Sequence, residues 1–243
     1  MAVTRISAVD DPGMDAAVRT VKGMTASRCA TGRLVGGMLA VVLAVVASGA
    51  VRADEAAAWK PLFDGTTLGA WKPTPFGGEG EVRVADGAIV VPMGATLSGI
   101  TWAGEFPRTG YEIELQARRV EGSDFFCGLT FPVGDSCCSL ILGGWGGSVT
   151  GLSCLDGRDA ADNETTDTRN FTRGHWYAVR VRVTPARIEC LLDGEPLVEQ
   201  NIEGRRISVR DEVAASQPLG IATYATTGEF RGIRWRPLPA ETP

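Results

Sequence analysis

Histidine occurs once in this chain, at His175, and lysine only at Lys22, Lys60 and Lys72. No basic run or basic face develops, so a nucleic-acid partner is not expected. No Cys-x-x-Cys spacing occurs. With one histidine besides, a structural zinc site is not expected. Internal repeats and low-complexity tracts are also missing. After residue 51 no apolar run is long enough to cross a bilayer.

The single long apolar run is residues 34–51. Arg19, Lys22, Arg28 and Arg33 precede it, and Ser48 and Ala50 stand near its end. A basic segment, an apolar segment and a small-residue exit make a secretory signal peptide, with cleavage after Ala50 or Ala53. A retained N-terminal anchor is the competing reading, since about 18 apolar residues just span a bilayer. Residues 1–53 are therefore expected to be signal peptide and short linker. Residues 54–243 then form a single domain, exported to the periplasm or beyond and not stably inserted in a membrane. Five basic and three acidic residues precede position 51, which leaves 19 basic and 26 acidic side chains and a net charge of −7. Five cysteines remain there: Cys127, Cys137, Cys138, Cys154 and Cys190. An odd count leaves at least one thiol outside any internal disulfide. A Cys137–Cys154 bridge and buried free thiols are both compatible with the spacing.

The remainder reads as strands. Tyr111 to Ala117 and Tyr177 to Val183 alternate apolar and polar residues with period two. Asp86-Gly87 and Asp193-Gly194 each stand between such runs, the signal for a type I′ hairpin turn. Further strands are expected over Thr101 to Phe106, Arg187 to Leu192, Glu195 to Glu199, Leu219 to Tyr224 and Phe230 to Trp235. Gly232 marks a bulge. Helical turns are expected only around Gly204 to Val213. About a dozen short strands with turn signals between them predict an all-β sandwich of two antiparallel sheets.

The unusual chemistry lies between Gly122 and Thr168. Two strand-like pieces lead to a glycine corner, Gly143-Gly144-Trp145-Gly146-Gly147. A short apolar run follows, then an acidic loop from Asp156 to Asp167. Aromatic faces, carboxylates and amides together suit a carbohydrate, whose rings stack and whose hydroxyls accept and donate hydrogen bonds.

The order of several short motifs resembles a known family. Phe63-Asp64-Gly65, then Leu68 and Trp71, is similar to its opening. His175-Trp176-Tyr177 followed by Asp193-Gly194-Glu195 is similar to its tryptophan strand and hairpin. Pro218-Leu219-Gly220-Ile221 and Phe230-Arg231-Gly232-Ile233-Arg234 are similar to its closing strands. That family is the 3-keto-disaccharide hydrolase domain, associated with 3-keto-glycoside 1,2-lyase and 3-keto-2-hydroxy-glucal hydratase activity. The resemblance spans roughly residues 59–238. It implies a concanavalin-A-like jelly roll with a ligand groove on one curved sheet, and an oxidised glycoside as substrate. Many members carry an Asn-Ser-Gly element and a strand ending in arginine where this chain has Gly122 to Phe131. No residue role is carried over at those positions.

The implied chemistry removes the C2 hydrogen beside a C3 ketone and expels the C1 substituent. It needs a base, an acid and a group to hold the enolate oxygen. Asp156, Asp159 and Glu164 are the carboxylate candidates; crowding would raise the pKa of one of them. Arg158 is the candidate for the enolate, and His175 a further base. Trp145 is the stacking candidate, with Asp124, Asp162 and Asn163 as hydroxyl ligands. The cofactor expectation is none, or a divalent cation such as calcium held by Asp159, Asp162, Asn163 and Glu164, whose spacing is not that of an EF-hand. A glycan-binding module without catalysis is the alternative from another class, and a structural surface protein the third. Oligomeric state is not legible.

Overall fold

The computed structural model describes residues 57–239. The expected signal segment, residues 1–53, lies outside them.

In chain order the strands are β1 (Lys60–Pro61), β2 (Trp71–Pro73), β3 (Arg83–Ala85), β4 (Ala88–Val91), β5 (Leu97–Trp102), β6 (Tyr111–Gly122), β7 (Cys127–Val133) and β8 (Ser136–Gly144). They continue as β9 (Val149–Ser153), β10 (Asp167–Thr168), β11 (Tyr177–Val183), β12 (Arg187–Leu192), β13 (Glu195–Asn201), β14 (Gly220–Tyr224) and β15 (Thr226–Pro237). One sheet runs β13-β12-β11-β6-β15-β4-β3, with β1 on β15. The other runs β10-β9-β8-β7-β14-β5-β2. This is the expected all-β jelly-roll sandwich, and all its ladders are antiparallel.

Period-two patterning decides which side of each sheet is buried. On β6, Tyr111, Ile113, Leu115 and Ala117 are sealed, and Val179 and Val181 of β11 lie directly opposite Leu115 and Ile113. In the second sheet the core row is Ile100, Ile221, Leu129, Leu140 and Leu152, one from each of five paired strands. Each of these aliphatic side chains contributes about 1.5–3 kcal/mol by leaving water. Tyr111 takes its hydroxyl across the core to donate to the Pro132 carbonyl at 2.7 Å, joining the two sheets. The opening motif has a structural cause: Trp71 is fully buried and its Nε1 donates to the Leu62 carbonyl at 3.0 Å.

Both Asp-Gly turns are as expected, with φ of 51° and 76° at Asp86 and Gly87 and 53° and 85° at Asp193 and Gly194. The bulge at Gly232 is also present, between Arg231 and Arg234 of β15. Two expectations shift. The strand expected over Thr101 to Phe106 is Leu97–Trp102, because the apolar run Leu97 to Ile100 pairs with β14. The helical turns expected around Gly204 to Val213 are a 3-10 turn at Asp211–Ser216. All five cysteines after residue 51 are buried free thiols. The Cys137–Cys154 bridge is absent because Ser139 pairs with Ser153, so the register sets Cys138 rather than Cys137 against Cys154.

Candidate functional site

The outer face of the seven-stranded sheet is paved with small side chains. One cross-strand row reads Thr101, Gly220, Thr130, Ser139 and Ser153; the next reads Gly99, Ala222, Gly128, Ile141 and Gly151. Rings can lie close to such a surface. A Cβ built at Gly128 would stand 3.1 Å from the Phe125 ring, and one at Gly99 2.9 Å from Phe76. Above this pavement opens a cleft of about 450 Å³. Its walls include Asp124, Phe125, Trp145, Arg210, Glu212 and Tyr224, with Ser139, Ile141 and Ser153 below. Trp145 and Tyr224 are 44% and 41% exposed, two of the three large apolar side chains so open among the described residues. Phe125 stacks on Tyr224 with centroids 6.0 Å apart.

The Trp145 corner is held rigidly. Gly143, Trp145, Gly146 and Gly147 all have positive φ, from 48° to 110°. Arg119, 8% exposed, projects beneath them. Its Nη2 lies 3.0 Å from the Asp124 carbonyl, 3.2 Å from that of Gly143 and 3.0 Å from that of Gly147. A Cβ at Gly143 would stand 2.4 Å from the same nitrogen, so only glycine fits. Burial lowers the Arg119 pKa, and the Asp124 charge opposes that fall. Asp124 completes the frame: its carboxylate accepts the Phe125 N–H at 2.7 Å and the Gly146 N–H at 2.9 Å.

On the opposite wall Arg210 carries two carboxylates. It meets Asp159 at 2.6 Å and Glu212 at 2.8 Å. Both pairings hold the Arg210 guanidinium firmly charged, the Glu212 bond being the larger influence.

The acidic loop does not converge on the cleft as one cluster. Asp156 and Glu164 share Arg205, at 2.6 and 2.5 Å, away from the cleft lining. Crowding was expected to raise a carboxylate pKa there; instead those of Asp156, Glu164 and Asp167 are all lowered. Hydrogen bonds from the Arg206 backbone, Arg205 and Arg169 respectively are the leading causes. Like-charge repulsion loses because Arg205 stands between Asp156 and Glu164, the Arg206 backbone also bonds Asp156, and Asp167 has Arg169. Asn163 is a brace for the loop, its amide donating to the Leu152 and Asp159 carbonyls at 2.7 Å each. Arg158 and Asp162 are exposed, and Arg158 closes its turn through its backbone to Leu155. His175, also exposed, packs its ring on Tyr177 at 4.6 Å, outside the cleft lining. Of the calcium candidates, Asp159 faces Arg210 and Glu164 faces Arg205. Among the described residues no group of three or more His, Cys, Asp or Glu is placed to hold a metal ion.

Asp124 and Trp145 are thus the expected site residues that reach the cleft directly, and Asp159 reaches it through Arg210. The sequence reading missed Phe125, Arg210, Glu212 and Tyr224. Alternation along β14 carried a signal for Tyr224, because it falls on the outer face with Ala222. Arg210 and Glu212 left none, since only the chain's return over the sheet brings them there.

Residues 58–236 match the family described as the 3-keto-alpha-glucoside-1,2-lyase-like domain. The chain belongs to that family. Membership supports a carbohydrate-related role. No curated protein matches the chain. Among solved structures, the apo Crh5 transglycosylase is similar with a TM-score of 0.51 at 10% identity, covering 74% of this chain and 83% of that one. A candidate glycosyl hydrolase from Parabacteroides distasonis gives 0.49 at 16% identity, over 74% of this chain and 94% of that one. The carbohydrate-binding module CBM66 from Bacillus subtilis gives 0.44 at 10% identity, over 69% and 95%. At 10% identity the likeness to the transglycosylase is one of fold alone.

Proposed function

We propose that this 3-keto-glucoside-lyase-like domain is an exported enzyme that opens the glycosidic bond of a 3-keto-glycoside in the Trp145–Tyr224 cleft. The observation that carries the reading is the meeting there of Asp124, Glu212 and Arg210 with two exposed aromatic faces. Carboxylates and a guanidinium in an aromatic recess are the parts that sugar chemistry needs.

In the proposed reaction a carboxylate of the cleft, Asp124 or Glu212, removes the proton at C2. The electron pair forms the C1–C2 double bond as the C1–O bond breaks. The departing oxygen takes a proton and leaves as the aglycone alcohol. A 3-keto-2-hydroxy-glucal remains, and addition of water across its double bond gives the 3-keto sugar. Arg210 faces the negative charge that develops on the C3 oxygen. Trp145 and Tyr224 hold the ring by stacking. Asp159 keeps Arg210 in place through their 2.6 Å contact.

A second reading is a glycan-binding module without turnover. It is favoured by one observation: Asp124 is engaged by two backbone N–H groups, and Glu212 is bonded to Arg210 through both oxygens. The two readings separate on one assay. The purified protein is incubated with an aryl 3-keto-glucoside, with and without added calcium, and free aglycone is followed. Release that falls about 10²–10⁴-fold in Glu212→Gln or Asp124→Asn supports the enzyme. Binding without release, lost in Trp145→Ala but kept in both carboxylate variants, supports the module and ends the enzymatic proposal.

A further inference from the structure

The outer face of the eight-stranded sheet has a different chemistry from the cleft. Arg118, Arg180, Arg182, Arg187, Arg231, Arg234 and Arg236 stand there against Glu112, Glu114, Glu189, Glu199 and Glu229. Seven guanidiniums against five carboxylates give this interlinked set a charge of +2. Residues 57–239 hold 18 basic and 23 acidic side chains, a net of −5, so the rest of the domain carries −7. Positive charge is therefore segregated onto one sheet face. It is also held in place. Arg234 and Arg236 lie 4.9 and 4.6 Å from the Trp59 ring centroid, and Arg231 and Arg118 lie 4.1 and 4.5 Å from that of Trp176. Stacking on indole fixes a guanidinium without neutralising it.

In this face lies a hollow of about 500 Å³. The bulge on β15 makes it, by setting Gly232 and Ile233 opposite Leu115 alone. Pro61, Phe63 and Leu191 supply apolar lining, and Arg180 and Arg234 the cationic part. Those two arginines share a single carboxylate, Glu114, with Arg180 at 2.7 Å. Each bonds it through Nε and Nη2, and among the described residues neither Nη1 has a partner. One negative charge for two guanidiniums leaves a deficit of one anion, with donors already oriented.

We propose that this hollow is a second carbohydrate site, one that takes a uronate residue of an acidic polysaccharide, its carboxylate meeting Arg180 and Arg234. A sugar ring matches the recess and its partly apolar lining, and a carboxylate matches the geometry of the guanidinium fork. A membrane surface fits less well, because the arginines are held down on Trp59 and Glu114 and only Lys60 and Lys72 follow residue 51. Nucleic acid fits less well because five carboxylates are interspersed among the arginines. The site is remote in chemistry from the cleft and does not depend on its turnover.

Native gel electrophoresis of the purified protein tests it, with polygalacturonate or neutral dextran cast in the gel. Polygalacturonate is expected to retard the protein and dextran not. The double variant Arg180→Gln/Arg234→Gln should weaken the retardation about tenfold or more. Ala178→Glu is the second variant. Ala178 is exposed and lines the hollow, so the change adds a repelling carboxylate and keeps every arginine. It should weaken the retardation likewise, with the thermal midpoint followed as the control for folding. Equal retardation by dextran, no retardation, or full retardation of a folded Ala178→Glu overturns the proposal. So does binding to phosphatidylglycerol vesicles without binding to polygalacturonate, which would assign the face to a membrane.

Discussion

Arg119 and Asp124 are locked together from both ends: Nη2 of the arginine lies 3.0 Å from the Asp124 carbonyl, while the Asp124 carboxylate accepts the Gly146 N–H of the corner that Arg119 supports. Two loops from different strands thus become one rigid wall of the cleft. Replacing Arg119 by methionine keeps the buried stem but strands three carbonyls. Each stranded group costs about 1–3 kcal/mol. The urea midpoint of Arg119→Met should fall by several kcal/mol in stability terms at unchanged slope. A midpoint within error of the parent would refute this account of the corner.

Gly143→Ala tests the same wall from the backbone side. Its φ of 73° and the 2.4 Å approach of the Arg119 nitrogen leave no room for a methyl group. A loss of about 1–3 kcal/mol is expected by thermal or urea unfolding. An equal change at Gly146, where a Cβ would meet nothing within 4 Å, should do less.

The Arg205 pairs predict an acid-sensitive increment of stability. Arg205 lowers the pKa of Glu164 and, with the Arg206 backbone, that of Asp156, below their ordinary 4.5 and 3.8. A depressed folded-state pKa gives stability that is present above the ordinary value and lost as pH falls through the folded one. The thermal midpoint of the parent should therefore drop more steeply than that of Arg205→Gln as pH falls below about 4.5. Both carboxylates are largely exposed, so added salt should shrink the difference. Parallel profiles for the two proteins would contradict the pairing.

The thiols are expected to be silent in the folded protein. Burial pushes Cys127 and Cys138 up to about 12, and raises Cys190 strongly and Cys137 less. Since the thiolate is the reactive form, labelling of Cys127, Cys138 and Cys190 at pH 8 should wait on unfolding. Mass spectrometry after iodoacetamide treatment, with and without urea, reads this directly. Rapid native labelling at those three positions would show that the core opens.

A last expectation concerns Glu112, whose side chain is fully buried between Arg182 and Arg236. Glu112→Gln removes the charge that both guanidiniums face. A loss of about 1.5–3 kcal/mol is expected from the weakened charge-assisted bonds, softened because both guanidiniums keep contact with water and Arg182 keeps Glu189. Calorimetry checks it, and a neutral result would mean that solvent already screens the pair.

How far the sequence reached is clearest in particular elements. Alternation in Tyr111 to Ala117 and Tyr177 to Val183 determined the strands and their buried faces, since a period of two admits only one register against a core. Asp86-Gly87 and Asp193-Gly194 determined their turns, because few residues accept paired positive φ. Family membership was legible from the order of Trp71, the Asp193-Gly194 hairpin and the closing strands. The partners of each charge were not. Asp156 and Glu164 look like a crowded cluster along the chain, yet Arg205, some forty to fifty residues on, meets them both. Arg210 and Glu212 join Asp124 and Trp145 only because the segment before β14 crosses the outer face of a sheet built from distant strands. Hydrophobic periodicity is a local signal and survives in the sequence. Ion pairing and cleft walls depend on which strands become neighbours, and that was settled only when the two sheets closed on each other.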